Sequence, residues 1–330
     1  MGGYLSGSTE PETTTEETTT EVIEEQPVKG GRQPILKSKR KPKEIVIPSK
    51  STSSISVGFQ VDSLCKISSD SFAVGLSNGV IQVYQLGSTS GPQYTLEGHT
   101  GTVKSMLKLT DGRLCSGGGD SSIKIWRLYE KRLDAELTPH SNWVSALLQL
   151  KGSELLISGS SDNTIKMINL SNGNAIEHTF NVEKNIDCLV DIGEGQFASN
   201  SGDSVVIWDT KTKEKVYEFE GAFSTVMSLA FLDDGRLFTG AVNGNIKIYD
   251  IHTKKKVSKI KDSGDLSVIR TIGKNTLAVA LGNGIKLWNL NENVEIRTLS
   301  GHSGDVKCLE LMGNGTLISG GTDKCVKIWE

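Results

Sequence analysis

A chain of 330 residues with a formal net charge of −3 carries too little bulk charge for a nucleic-acid binder, so nucleic acid is disfavoured as a partner. No apolar run approaches the roughly 18 residues of a membrane-spanning helix, and no charged-then-apolar leader opens the chain. The five cysteines (Cys65, Cys115, Cys188, Cys308, Cys325) are odd in number and form no CxxC pair. They argue against a disulfide framework and for a reducing cytosolic or nuclear compartment.

Residues 1–50 are expected to form a disordered tail. Met1-Gly2-Gly3-Tyr4-Leu5-Ser6 fits the M-G-x-x-x-[ST] pattern for acylation at Gly2. From Thr9 to Glu25 the chain is almost entirely Thr and Glu, with Val22 and Ile23 the only apolar pair, too little apolar surface to offset the entropy of ordering. A basic run follows, Lys37, Lys39, Arg40, Lys41 and Lys43, and eight acidic and eight basic residues through Lys50 leave the tail neutral but split into blocks. One acyl chain binds a bilayer marginally, and a polybasic run is the usual second signal. An anionic membrane is therefore a candidate partner of the tail, with a cytoplasmic, membrane-associated location. The same KSKRKPK run resembles a nuclear localisation signal, which is the alternative.

Residues 51–330 are expected to form a single all-β domain. A short alternating run ending in an aromatic recurs at Ile81–Tyr84, Ile123–Trp126, Val205–Trp208, Ile246–Tyr249, Ile285–Trp288 and Val326–Trp329, with Ile165–Ile168 filling the one gap. The intervals between the last residues are 42, 42, 40, 41, 39 and 41. Alternation with β-branched and aromatic residues argues strands, and a period near 40 is that of a four-stranded propeller blade. An upstream run of the form V-x-small-L predicts an inner strand at Val103–Leu107, Val144–Leu147, Ile186–Leu189, Val226–Leu229 and Val306–Leu309. Turns are expected at Asp111-Gly112, Glu194-Gly195, Asp234-Gly235 and Asn314-Gly315, and tight hairpins at Asn78-Gly79, Asn243-Gly244 and Asn283-Gly284.

These residues resemble the WD-repeat propellers, over roughly Val57 to Glu330. The strongest pieces are Gly98-His99 with Ser116, Asp120 and Trp126, and Gly301-His302 with Ser319, Asp323 and Trp329. The resemblance implies a seven-bladed propeller in which each such set forms a hydrogen-bonded chain inside a blade. The third repeat keeps His140, Ser158 and Asp162 but has Ile168 in place of Trp. The fifth has Ala222 in place of His, and the fourth and sixth lack the His, with Asp203 and Asn283 as nearest matches. The chain stops after the third strand of the last blade, so the resemblance implies that an N-terminal strand closes the ring. Ile45–Ile47 has the better β-propensity, whereas the register of the other repeats points to Ser51–Ile55.

A Ser/His/Asp set also suggests a hydrolase triad, but a set recurring at the same repeat phase reads as structure, and no catalytic residue, cofactor or metal is expected. Cys188 and Cys308 align with Ser105, Ala146 and Ser228 as small packing residues. Function is expected on the rim of loops, where the resemblance places partner proteins or peptides. By repeat phase the rim includes Thr102, Trp143, Asn185, Phe223, Asp265 and Asp305. Trp143 and Phe223 stand out because aromatics are enriched among binding hot spots. The rim carries no arginine at these positions, which disfavours a phosphopeptide reader.

Overall fold

A computed structural model describes residues 51–88, 90–221 and 224–330. The tail, with Gly2, the acidic block and the Lys37–Lys43 run, lies outside the described residues, as do Ala222 and Phe223. The described chain forms seven four-stranded antiparallel sheets, six of them built from consecutive strands. They are the blades of a seven-bladed β-propeller. Blade 2 is representative: an inner strand Val103–Lys108, then Leu114–Gly118, Ile123–Arg127 and an outer strand Arg132–Leu137. The seventh blade is the exception. Its strands Val306–Leu311, Leu317–Gly321 and Cys325–Trp329 are completed by Ser51–Ser56, with Ile55 opposite Val326. Register, not β-propensity, identified that strand.

The core is a ring of seven apolar clusters, each between two blades. Between blades 1 and 2, for example, Ile81, Val83 and Leu96 meet Val103, Leu114 and Trp126. Both faces of a blade are buried this way, so its middle strands are buried almost throughout, Lys124 of Ile123–Arg127 included. The small residues of the repeat have a geometric cause. A Cβ on Gly75 would lie 2.8 Å from Val103 Cγ1 of the next blade, and one on Gly117 2.7 Å from Val144 Cγ1. Glycine there lets Val103 and Val144 seat against the preceding blade. The hydroxyls at the aligned small position then bond across the same seam, Ser63 Oγ to the Val103 carbonyl at 2.8 Å and Ser105 Oγ to the Val144 carbonyl at 3.2 Å. Cys308 occupies this position, buried, with its thiol pushed well above the usual range by desolvation.

Each inner strand except that of blade 4 begins with a register shift, between Val61 and Ser63, Val103 and Ser105, Val144 and Ala146, Val226 and Ser228, Leu266 and Val268, and Val306 and Cys308. A bulge there leaves the residue between unpaired and turns it out of the sheet. Two sequence expectations are corrected. The inner strand of blade 4 begins at Leu189 rather than Ile186, because the side chain of buried Asn200 accepts the Asp187 and Cys188 amides and takes them out of the ladder. The sixth-blade hairpin turns on Gly282-Asn283, with Gly282 at φ 53°, so that Gly284 begins the strand as the partner of Leu281.

Candidate functional site

Each complete tetrad is a one-way chain of hydrogen bonds. Trp126 lies opposite Leu114, so its indole reaches Ser116 two residues along the neighbouring strand. Trp126 Nε1–H donates to Ser116 Oγ at 2.8 Å, which leaves the hydroxyl proton for His99 Nε2 at 2.8 Å. His99 Nδ1–H then donates to Asp120 at 2.9 Å. In blade 7 the distances for Trp329, Ser319, His302 and Asp323 are 2.8, 2.7 and 2.8 Å. Asp120 also accepts the Thr100 amide at 2.8 Å, the Ser122 amide at 3.1 Å and the Ser122 hydroxyl at 2.8 Å. One carboxylate thereby fastens the loop between blades 1 and 2 to a hairpin of blade 2. Blade 3 keeps His140, Ser158 and Asp162 at 2.8 and 2.9 Å without the indole. Ser116, Ser158 and Ser319 are fully buried between strands. No substrate carbonyl reaches these hydroxyls in the folded state, and the same geometry occurs three times.

The arrangement makes stability pH-dependent. Burial holds His99, His140 and His302 below the ordinary histidine value, with the facing aspartates opposing that shift. Protonating Nε2 would also remove the acceptor of the serine proton. Between the lowered folded value and the unfolded value near 6.5 the unfolded chain binds more protons, so stability rises with pH there. Asp120 is lowered to about 2, with hydrogen bonds from Ser122, Thr100 and His99 outweighing burial, and its contribution is lost as pH falls from 3.8 toward that value. The expected result is a melting temperature level above pH 6.5, falling below it, and falling more steeply below pH 4. Melts across pH 3 to 8 check this, and a flat profile from pH 7 to 5 would contradict buried neutral imidazoles.

Where the tetrad is incomplete, the residues show why. In blade 4, Trp208 Nε1 still donates to Ser199 Oγ at 2.9 Å, but Asp203 is exposed, and Asn200 replaces the missing histidine as the buried clamp. Asn200 Nδ2 bonds the Val226 carbonyl at 3.1 Å and the Asp187 carboxylate at 3.3 Å, tying blade 4 to blade 5. In blade 6 the serine position is Val279, and the buried Trp288 indole N–H has no hydrogen-bond partner among the described residues. In blade 5, Thr239 Oγ1 turns to the Lys247 carbonyl at 3.5 Å.

The rim presents the other sequence candidates. Trp143 is 50% exposed. Asn185, Asp265 and Asp305 are exposed, and Thr102 is partly buried with its hydroxyl on the Ser77 carbonyl at 3.2 Å. Trp143 borders a depression of about 380 Å³ at the mouth of the central channel, whose other walls include Lys104, Asn185, Asp187, Met227 and Lys307. Lys104, Met227 and Lys307 are bulged residues of inner strands, two residues beyond the repeat phase of Thr102 and Asp305. Lys104 Nζ lies 4.9 Å from the centre of the Trp143 ring and 3.2 Å from Asp62, whose second carboxylate oxygen is buried with no donor among the described residues. Burial raises Asp187 above the ordinary carboxylate value, and its side-chain partner is the neutral Asn200 amide.

Comparison with known proteins agrees with this construction. The family model for the WD domain, G-beta repeat, matches residues 90–127, 131–169, 213–250 and 293–330. Each match runs from the outer strand of one blade through the third strand of the next, so the repeat unit straddles the blades. The chain is 28% identical over 238 residues to a p21-activated protein kinase-interacting protein 1-like protein of Danio rerio, covering 69% of this chain and 63% of that one. It is 22% identical over 246 residues to a serine-threonine kinase receptor-associated protein of Gallus gallus, covering 72% and 69%. It is 20% identical over 225 residues to a WD repeat-containing protein 55 homolog of Dictyostelium discoideum, covering 66% of this chain and 55% of that one. The chain thus spans between about half and two thirds of the length of these relatives. With seven blades, two complete tetrads and four matched repeats, the chain belongs to the WD-repeat propeller family.

Proposed function

We propose that this propeller is a non-enzymatic interaction scaffold that takes a peptide or a folded domain on its rim, with Trp143 as the anchor. The observation that carries the reading is the half-exposed Trp143 beside the channel mouth, over a depression walled by Lys104, Asp187, Met227 and Lys307. An exposed indole costs solvation that binding regains, and Trp is enriched among hot spots. The three Ser-His-Asp sets are consumed in fastening loops. Two relatives are named for interacting with a kinase or associating with a kinase receptor, which favours a protein partner for this chain as well. Asn185, Asp265 and Asp305 supply polar contacts around the anchor. Tethering through an acylated Gly2 assisted by Lys37–Lys43, or nuclear import through the same run, is the corresponding proposal for location.

Affinity capture with the full chain, followed by mass spectrometry, identifies the partner. Trp143→Ala then reduces its retention by about tenfold or more, a cost of roughly 1.4 kcal/mol or above. The melting temperature changes little, since the ring is half in solvent. Undiminished capture by the variant would end the assignment of Trp143 as anchor.

A further inference from the structure

One blade departs from the others on its outer edge. The outer strand of blade 5, Lys255–Ile260, reads KKVSKI, with Lys254 before it and Lys261 after it. The outer strands of blades 2, 3, 4 and 6 (RLDAEL, AIEHTFN, EKVYEF, VEIRTLS) each contain a carboxylate, and those of blades 1 and 7 carry no charge. Only blade 5 has three lysines and no acid. Among the described residues, Lys254, Lys255, Lys256, Lys259 and Lys261 form no ion pair.

The register shows where this charge points. Lys256 lies opposite Tyr249 and Lys259 opposite Lys247, so all four share a face. The Tyr249 ring packs on Phe219 of blade 4 at 4.5 Å between centroids, so that face looks toward blade 4. The facing wall is aromatic: Tyr217 stands at 4.9 Å from Phe219, and Lys254 Nζ lies 5.0 Å from the Tyr217 ring centre. Between the walls opens a cavity of about 560 Å³ with an apolar lining that includes Val216, Tyr217, Phe231 and Ile251. Burial, and then the like charges of Lys256 and Lys259, hold Lys247 below the ordinary lysine value against the opposing charge of Asp203.

We propose that the cleft between blades 4 and 5 is a second docking site, for an acidic protein segment with an apolar anchor. The anchor enters the cavity beside Val216, Tyr217 and Ile251, and the flanking carboxylates meet Lys254, Lys256 and Lys259. Two features select a peptide over other anions. Asp191, Glu194 and Asp233 border the base of the cavity and would repel a continuous phosphate backbone. The apolar groups line a concavity, out of reach of a flat bilayer surface. The site is separate from the rim and does not involve Trp143.

The test pans the full chain against a pooled library of twelve-residue peptides, with Asp/Glu flanks around two randomised apolar positions. Parallel probes are a pool with a central Gly-Gly, a pool with Gly/Ser flanks, a single-stranded oligonucleotide and phosphatidylserine vesicles. The acidic apolar pool should be enriched. Selected peptides should bind about tenfold more weakly to Lys256→Gln/Lys259→Gln, and several-fold more weakly to Tyr217→Ala. Binding to Trp143→Ala should equal that of the parent chain. The lysines are exposed, so the double variant should melt with the parent. The proposal is overturned by no enrichment, by equal retention of the Gly-Gly pool, by indifference to the lysine changes, or by lysine-dependent binding of the oligonucleotide or vesicles in place of the peptides.

Discussion

Removing residues 1–56 lowers the melting temperature by about 10 to 20 °C, whereas removing residues 1–40 leaves it nearly unchanged. The longer deletion takes away Ser51–Ser56, which pairs with Cys325–Trp329 and closes the ring. Ile55 goes with it, exposing Val326 and Ile328, which are buried in the cluster between blades 7 and 1. Re-exposing two or three such side chains costs on the order of 5 kcal/mol, a large part of the 5 to 15 kcal/mol that usually holds a fold. The strand left behind is an unpaired edge, which favours association between copies. Melting curves of the three chains, with light scattering, check this. Coincident melts would contradict closure by the N-terminal strand.

Asp120→Ala destabilises the propeller by about 3 kcal/mol or more. The substitution orphans the Thr100 amide, the Ser122 amide and hydroxyl, and His99 Nδ1–H together. Asp323→Ala should act alike in blade 7, where Asp323 accepts from His302, the Ser303 amide and the Cys325 amide. Asp203→Ala, at the corresponding turn of blade 4, should change stability by no more than about 0.5 kcal/mol because that side chain is exposed. Denaturant unfolding of the three variants measures the ranking. Similar losses at all three would mean that the hydrogen-bonded network adds nothing to turn chemistry.

The architecture was legible because its signals are local and repeated. The aromatic at the end of each third strand and the glycine-bearing turns recur at a near-constant interval, and seven weak matches in phase specify one topology. Ser51–Ser56 shows the limit of propensity, since a serine-rich stretch is a strand only because Cys325–Trp329 offers it an open edge. Asn200 was missed because Ser-Asn-Ser in a strand shows no sign of a clamp until its burial against blade 5 is seen. The channel mouth was missed by two residues, because a bulge breaks the alternation and turns Lys104, Met227 and Lys307 toward the axis. The cleft between blades 4 and 5 joins Tyr217 and Lys254, about one repeat apart, and neither residue alone announces it.

The central claim is that recognition and structure are divided between two sets of residues, the rim aromatic and the buried tetrads. The most direct measurement takes Trp143→Ala and His99→Ala side by side, recording the melting temperature and the retention of the captured partner well below the melt. The account predicts that Trp143→Ala loses the partner and keeps the melt, while His99→Ala lowers the melt and keeps the partner. A His99→Ala protein that melts normally but loses the partner, or an activity, would contradict it.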